Sequence, residues 1–249
     1  MKTTATFIVL ILFCFASISQ ERTPITVKYN GDRPNIVDFA LAYFNSIEDT
    51  DAVDFINNDG KITEPKGSGE HENPGLTIDK ANGYLFYKAA SFSDNTHTRE
   101  VAYWNCKDKQ HKIVALINQY WGCCRAPLTN VVEFYRYNNQ TKIMTPIEPP
   151  YNRPLTLADY YVLENFTKQE QQKLYAEDGS IEYSYFELPR KGTDIITSID
   201  SESFYCEEYP CDKIEANLRK SPILKWNGNG FTVIRQEKLQ NETEKSQND

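Results

Sequence analysis

Histidine is scarce in this chain. His71, His97 and His111 are the full complement among 249 residues, and they show neither H-x3-H nor H-E-x-x-H spacing. No G-x-S-x-G, glycine-rich phosphate loop or Ser/Lys signature occurs, so acyl and phosphoryl transfer have no motif to stand on. The paired C-x(2 to 4)-C spacing of zinc sites is missing too. Cys206-x4-Cys211 stands alone, and adjacent Cys123-Cys124 is a poor chelate spacing. The expectation is no bound metal and no cofactor.

Positive charge is also short, with 27 Lys and Arg against 35 Asp and Glu for a net charge of −8. Phosphate affinity comes from clustered Lys and Arg, so nucleic acid is not an expected partner. Long apolar runs are lacking after residue 20, which predicts no transmembrane segment. The one apolar run, from Phe7 to Ala16, follows Lys2 and precedes Ser17-Ile18-Ser19, small residues where a signal peptidase cuts. Residues 1–19 therefore read as a cleavable signal peptide. A lipid anchor on Cys14 is disfavoured because Phe13 precedes it, where a small residue belongs. The expected location is secreted or periplasmic, and losing Lys2 takes the balance to −9.

What the chain does have is aromatic residues, 13% of the total with 16 tyrosines, which favours strands over a helical bundle. Three segments read as hairpins: REVAYWNC and HKIVALINQYW around KDKQ, VVEFYRY and KIMTPIE around NNQT, and ILKW and FTVI around NGNG. Ser180 to Leu188 and Asp194 to Ile199 add strand-like runs, and another strand is expected near Gly83 to Tyr87.

Ile36, Ala40, Tyr43 and Ile47 recur at helical spacing, predicting a helix over 34–47 with Pro34 in its first turn. A short helix from Asp51 to Asn57 should follow Thr50 as its N-cap. A mid-chain helical stretch over 157–178 restarts at the capping box Thr167-x-x-Glu170. Asn57 to Lys66 superficially resembles a calcium loop, but setting Gly60 at position 6 leaves Phe55 and Lys66 where acidic oxygens are required.

The fold class expected is α+β. It is mainly an antiparallel β-sheet of successive hairpins sharing one core, with N-terminal and mid-chain helices packed on it. Residues 20–234 form a single domain, with a subdivision near 65–80 left open, and 235–249 form a disordered polar tail.

Export makes disulfides the expected role of the mature cysteines Cys106, Cys123, Cys124, Cys206 and Cys211. Cys206 and Cys211 bracket a turn-prone Glu207-Glu208-Tyr209-Pro210. Cys106 is expected to bridge to Cys123 or Cys124, leaving one thiol over, and a strained vicinal disulfide between Cys123 and Cys124 is the redox alternative.

Two functions are compatible with these features. The first is a non-enzymatic binding or envelope-associated domain for an unknown extracellular ligand, carbohydrate or protein, with Trp104, Trp121, Tyr135 and Trp226 as stacking residues. The second is a carboxylate-dependent hydrolase acting on glycans, for which Glu182 with Glu187 is one drawable pair. Aromatics on strands are more often core than ligand platforms. Asn139, Asn165 and Asn241 head N-glycosylation sequons, which have meaning only in a eukaryotic secretory pathway.

Overall fold

The computed structural model describes residues 22–60, 75–89, 96–121, 127–177, 184–199, 213 and 216–237. Residues 1–19, expected to be a signal peptide, lie outside this set. Among the described residues no helix is long and apolar enough to cross a membrane. The fold is α+β with β predominating, in three layers: two helices, a seven-stranded sheet and a four-stranded sheet.

The large sheet runs in the order β1 (Ile25–Thr26), β7 (Ile143–Ile147), β6 (Pro127–Asn138), β5 (His111–Trp121), β4 (Thr96–Asn105), β3 (Tyr84–Lys88), β2 (Gly75–Asp79). The small sheet runs β11 (Phe231–Ile234), β10 (Ile223–Trp226), β9 (Ile195–Ile199), β8 (Ser184–Glu187). Every strand pair is antiparallel, and the three hairpins expected from the sequence are all present. They do not share one sheet, however. β10 and β11 belong to the second sheet, because the central sheet needs a cover on its far face.

That need follows from the alternation of side chains along a strand. Leu85, Val101, Val114, Leu116, Tyr135 and Tyr137 point to one face, where they meet Ile36, Phe39, Tyr43, Phe44 and Ile56 of the helices. Ala102, Trp104, Ile113, Ala115, Ile117 and Phe134 point to the other, where they meet Leu188, Ile195, Leu224, Phe231 and Val233. Phe39 is fully buried and sits edge-on to Tyr137 with ring centroids 5.0 Å apart.

The first helix, α1 (Ile36–Ser46), starts two residues later than its apolar spacing predicts. Asn35 rather than Pro34 sets the start: its side-chain oxygen accepts the Val37 amide at 2.9 Å, while Asp38 reaches back to the Asn35 amide at 2.7 Å. The second, α2 (Thr50–Asn57), includes Thr50, and the cap is Asp49, whose carboxylate accepts the Ala52 amide. Gly60 adopts a left-handed φ of 78° in the turn where the chain leaves this helix. The remainder of the calcium-like loop falls outside the described residues.

The mid-chain helical stretch is broken. It divides into α3 (Leu157–Tyr160), a single 3-10 turn at Leu163–Asn165 and α4 (Lys168–Glu177). Tyr161 leaves the helical path with extended backbone and forms a β-bridge with Leu218, which pulls the chain out of helix. The capping box at Thr167 and Glu170 is formed as expected. Leu157, Tyr160, Tyr161 and Phe166 make a small third core of their own.

Asp159 fastens this segment to the second sheet. Its carboxylate is fully buried, accepts two hydrogen bonds from Arg153 at 2.6 and 2.7 Å and one from the Thr156 amide at 2.9 Å, and pairs with Arg235 at 3.3 Å. Residues 235–237 are thus not part of a free tail, since the Lys220 amide also donates to the Glu237 carbonyl. Residues 238–249 fall outside the described set. Burial alone would push the Asp159 carboxyl up, but the Arg153 and Thr156 hydrogen bonds more than reverse this and hold it at about 2, well below the usual value.

A depressed folded-state pKa stabilises the fold above the unfolded value and is lost as pH falls through the folded one. Asp159→Ala should therefore cost roughly 1–3 kcal/mol at neutral pH, because it leaves the Arg153 guanidinium and the Thr156 amide without their acceptor. Denaturant unfolding at neutral pH and near pH 2 measures this, with the deficit expected to shrink in acid.

Candidate functional site

The four aromatics singled out in the sequence do not form one site. Tyr135 lies on the helix-covered face, 3% exposed, with its hydroxyl donating to Glu133 at 2.7 Å. Glu133 also accepts from Tyr43 and pairs with Arg22 at 3.6 Å, so Tyr135 belongs to a structural network. Trp121 ends β5, and its side chain is not among those described.

Trp104 and Trp226 do come together, between the two sheets. Their ring centroids are 6.0 Å apart, and both pack on Phe231, at 5.0 and 5.1 Å. Trp104 is core, 5% exposed, and its indole N–H donates to the Thr193 carbonyl at 2.8 Å. Trp226 is only partly buried. Around it stand polar groups on a turn and a loop: Asp194, which accepts the Trp226 amide at 3.1 Å, exposed Thr193, and Asn227, which opens the turn between β10 and β11.

A carboxylate missed in the sequence lies in the same interlayer space. Glu100 is in register with Phe86 on one side and Ile117 on the other, and Ile117 is in register with Val132. One acid thus interrupts an apolar row that faces the second sheet. Its Oε2 accepts the Leu188 amide at 3.1 Å, 88 residues away, and Tyr84 hydrogen-bonds it from β3. Exposed Glu187 adds a like charge, while Arg190 pairs with Asp79 at 3.5 Å beside Tyr84. Burial pushes the carboxyl up, the Leu188 amide and Tyr84 pull it down, and Glu187 raises it; the result is about 7.

Among the described residues, Glu187 is the carboxylate that acts on Glu100; Glu182 lies outside them. The only hint of Glu100 in the sequence is that Arg99-Glu100 opens an apolar strand, and such a pair ordinarily reads as solvated. Here Arg99 turns to the helices, pairing with Asp49 and lying 5.1 Å over the Phe44 ring, and Glu100 turns to the second sheet.

The histidines are apart. His97 lies near the end of β4 that pairs with Trp121, against Asn118, whereas His111 begins β5 and meets Asp108 at 2.7 Å; His71 is outside the described residues. Among the described residues no group of three His, Cys, Asp or Glu is placed to hold a metal ion.

The expected bridge from Cys106 to Cys123 or Cys124 conflicts with strand register. Asn105 pairs with Lys112 at the turn end of the hairpin, while Trp121 pairs with Thr96 at the open end. The 11 residues of β5 separate the two ends by roughly 33 Å. Cys124 lies three residues past Trp121, a reach of at most about 10 Å, and a disulfide needs Cα atoms within about 7 Å. Cys106 is buried and free. Cys123, Cys124, Cys206 and Cys211 lie outside the described residues.

Burial raises the Cys106 thiol pKa and hides it from reagent. Iodoacetamide should leave it unmodified in the native protein and label it after denaturation without reductant, as peptide mass spectrometry would show.

For Glu100, the raised folded-state pKa means that the fold binds the proton more tightly than the unfolded chain. Stability should fall as pH rises from about 4.5 to about 7. Glu100→Gln should remove that slope and gain on the order of 2 kcal/mol over wild type at pH 8, with little change at pH 5, in urea unfolding.

No family model matches the chain, and no curated protein matches it. Among solved structures it is similar to a domain of an uncharacterized protein from Porphyromonas gingivalis W83, with 12% identity and a TM-score of 0.49 over 80% of this chain and 100% of that one.

Proposed function

We propose that this protein is an exported, non-enzymatic binding domain that takes a glycan or a peptide at the Trp226 end of its interlayer core. The observation that carries the reading is the half-buried Trp226 ring. It is held rigid by Trp104 and Phe231 and bordered by the polar groups of Thr193, Asp194 and Asn227. A fixed aromatic face with hydrogen-bonding groups at its rim suits a sugar ring or a peptide side chain, each of which presents apolar C–H surface beside polar atoms. The N-terminal apolar segment supports delivery outside the cytoplasm.

Glu100 favours a second reading, a carboxylate-dependent hydrolase acting on glycans. A carboxyl held at about 7 beside a second, exposed carboxylate is the kind of asymmetry that separates an acid from its partner. It ranks second because the Glu100 carboxyl is already engaged by the Leu188 amide and Tyr84, whereas the Trp226 ring is partly open.

One titration compares the two. Indole fluorescence should change when a panel of oligosaccharides and peptides is added, and Trp226→Ala, checked for folding by circular dichroism, should weaken the response on the order of tenfold or more. Release of reducing ends from an oligosaccharide, lost in Glu100→Gln and kept in Trp226→Ala, would favour the hydrolase. An unchanged affinity in Trp226→Ala would remove the binding proposal.

A further inference from the structure

The pairing of Glu100 with the Leu188 amide has a consequence beyond either reading. We infer that Glu100 is a pH-operated latch between the two sheets: protonated, it lets the end of β8 seat on β4; ionised, it drives that end away.

The geometry sets up the conflict. Glu100 projects from the middle of the central sheet, in a row whose other members are Phe86, Ile117 and Val132. The strand end it meets is apolar as well, since Phe186 and Leu188 pack into the same interlayer core. An ionised carboxylate in this row has lost most of its water. Its compensation is one backbone amide and one phenol, and no cation pairs with it among the described residues. The groups facing it are Tyr84 from β3, Glu187 from the end of β8, the Leu188 amide just past that end, and Arg190 beyond it, which is committed to Asp79 of β2. Glu187 lies on the strand end that must approach, so seating β8 brings two carboxylates together.

Protonation removes the buried charge and the repulsion while keeping the Leu188 hydrogen bond, because the carboxyl oxygen still accepts. Ionisation strengthens that bond but restores both penalties. Parting of β8 from β4 admits water to the carboxylate and moves Glu187 away, so it relieves both at once. The raised pKa of Glu100 is the same statement made in protons: the closed seam prefers the acid form.

The latch also has a lever. Residues 189–194 run from Leu188 to the carbonyl of Thr193, which Trp104 holds, and to Asp194, which holds the Trp226 amide. Release at Leu188 therefore frees one end of a loop whose other end borders Trp226. The latch itself stands whether or not Trp226 binds a ligand.

Amide hydrogen exchange on the full chain tests it, with rates corrected for the intrinsic effect of pH. Between about pH 5.5 and about pH 8.5, protection of the Leu188 amide should fall on the order of tenfold, as follows from a group whose proton affinity differs by more than one pKa unit between the open and closed seam. The Ala115 amide in β5 should change much less, which separates local parting from global unfolding. In Glu100→Gln the loss at Leu188 should vanish. In Glu187→Gln, which removes only the repulsion, it should shrink. Equal protection of Leu188 at both pH values in the wild type overturns the latch, as does an undiminished loss in Glu187→Gln should Glu100→Gln fail to fold.

Discussion

The structure depends on a central sheet that is apolar on both sides. β4 and β5 carry Val101, Val114 and Leu116 on one face and Ala102, Ile113, Ala115 and Ile117 on the other, all nearly inaccessible to water. A sheet solvated on one face would alternate apolar and polar residues. This one requires two covers, and the helices and the second sheet are those covers. Burying each large apolar side chain contributes roughly 1.5–3 kcal/mol, so neither cover is dispensable.

Such a sheet has little tolerance for charge, and the polar residues it does contain show how tolerance is reached. Arg99 is met by Asp49, and Glu133 by two tyrosine hydroxyls and Arg22. Asp159 and Glu100 make the sharpest contrast. Asp159 is the more deeply buried, yet the hydrogen bonds from Arg153 and Thr156 hold its pKa at about 2. Glu100 has hydrogen bonds but no cation, and its pKa goes the other way, to about 7. Burial raises both carboxyls; Arg153 and Thr156 keep Asp159 ionised, and Glu100 has no such cation among the described residues.

Local signals made most of the fold legible in the sequence. The three hairpins were readable because each places a polar turn between aromatic and β-branched runs, and the capping box at Thr167 follows from adjacent residues. Long-range pairings made the errors. The break at Tyr161 is caused by a bridge to Leu218, and the assignment of β10 and β11 to a second sheet reflects a face of β4 and β5 that local periodicity cannot allot. β2 was missed because Gly75-Leu-Thr-Ile-Asp follows a Gly- and Pro-rich stretch that reads as loop. Of the aromatics named as stacking residues, Trp104 and Trp226 lie together between the sheets. Tyr135 proved to face the opposite layer. Glu100 was invisible because its meaning comes from Leu188 and Glu187, far along the chain.

The ties between layers are unevenly spread. At one end, three hairpin turns are laced by backbone: the Lys107 amide donates to the Gly228 carbonyl at 2.8 Å, and the Asn139 amide to the Gln110 carbonyl at 2.9 Å. Gly228, with φ of 98°, lies so close to Lys107 that a Cβ there would overlap its side chain. These bonds carry no titratable group and hold at any pH. Away from the turns, where β8 meets β4, the cross-layer hydrogen bond between the Leu188 amide and Glu100 ends on a carboxyl whose charge state changes near neutrality. Parting of the layers would therefore start at β8, with the laced turns as the fixed end. The segment between them, from Leu188 to Asp194, is the part of the fold that connects the titrating group to the surface beside Trp226.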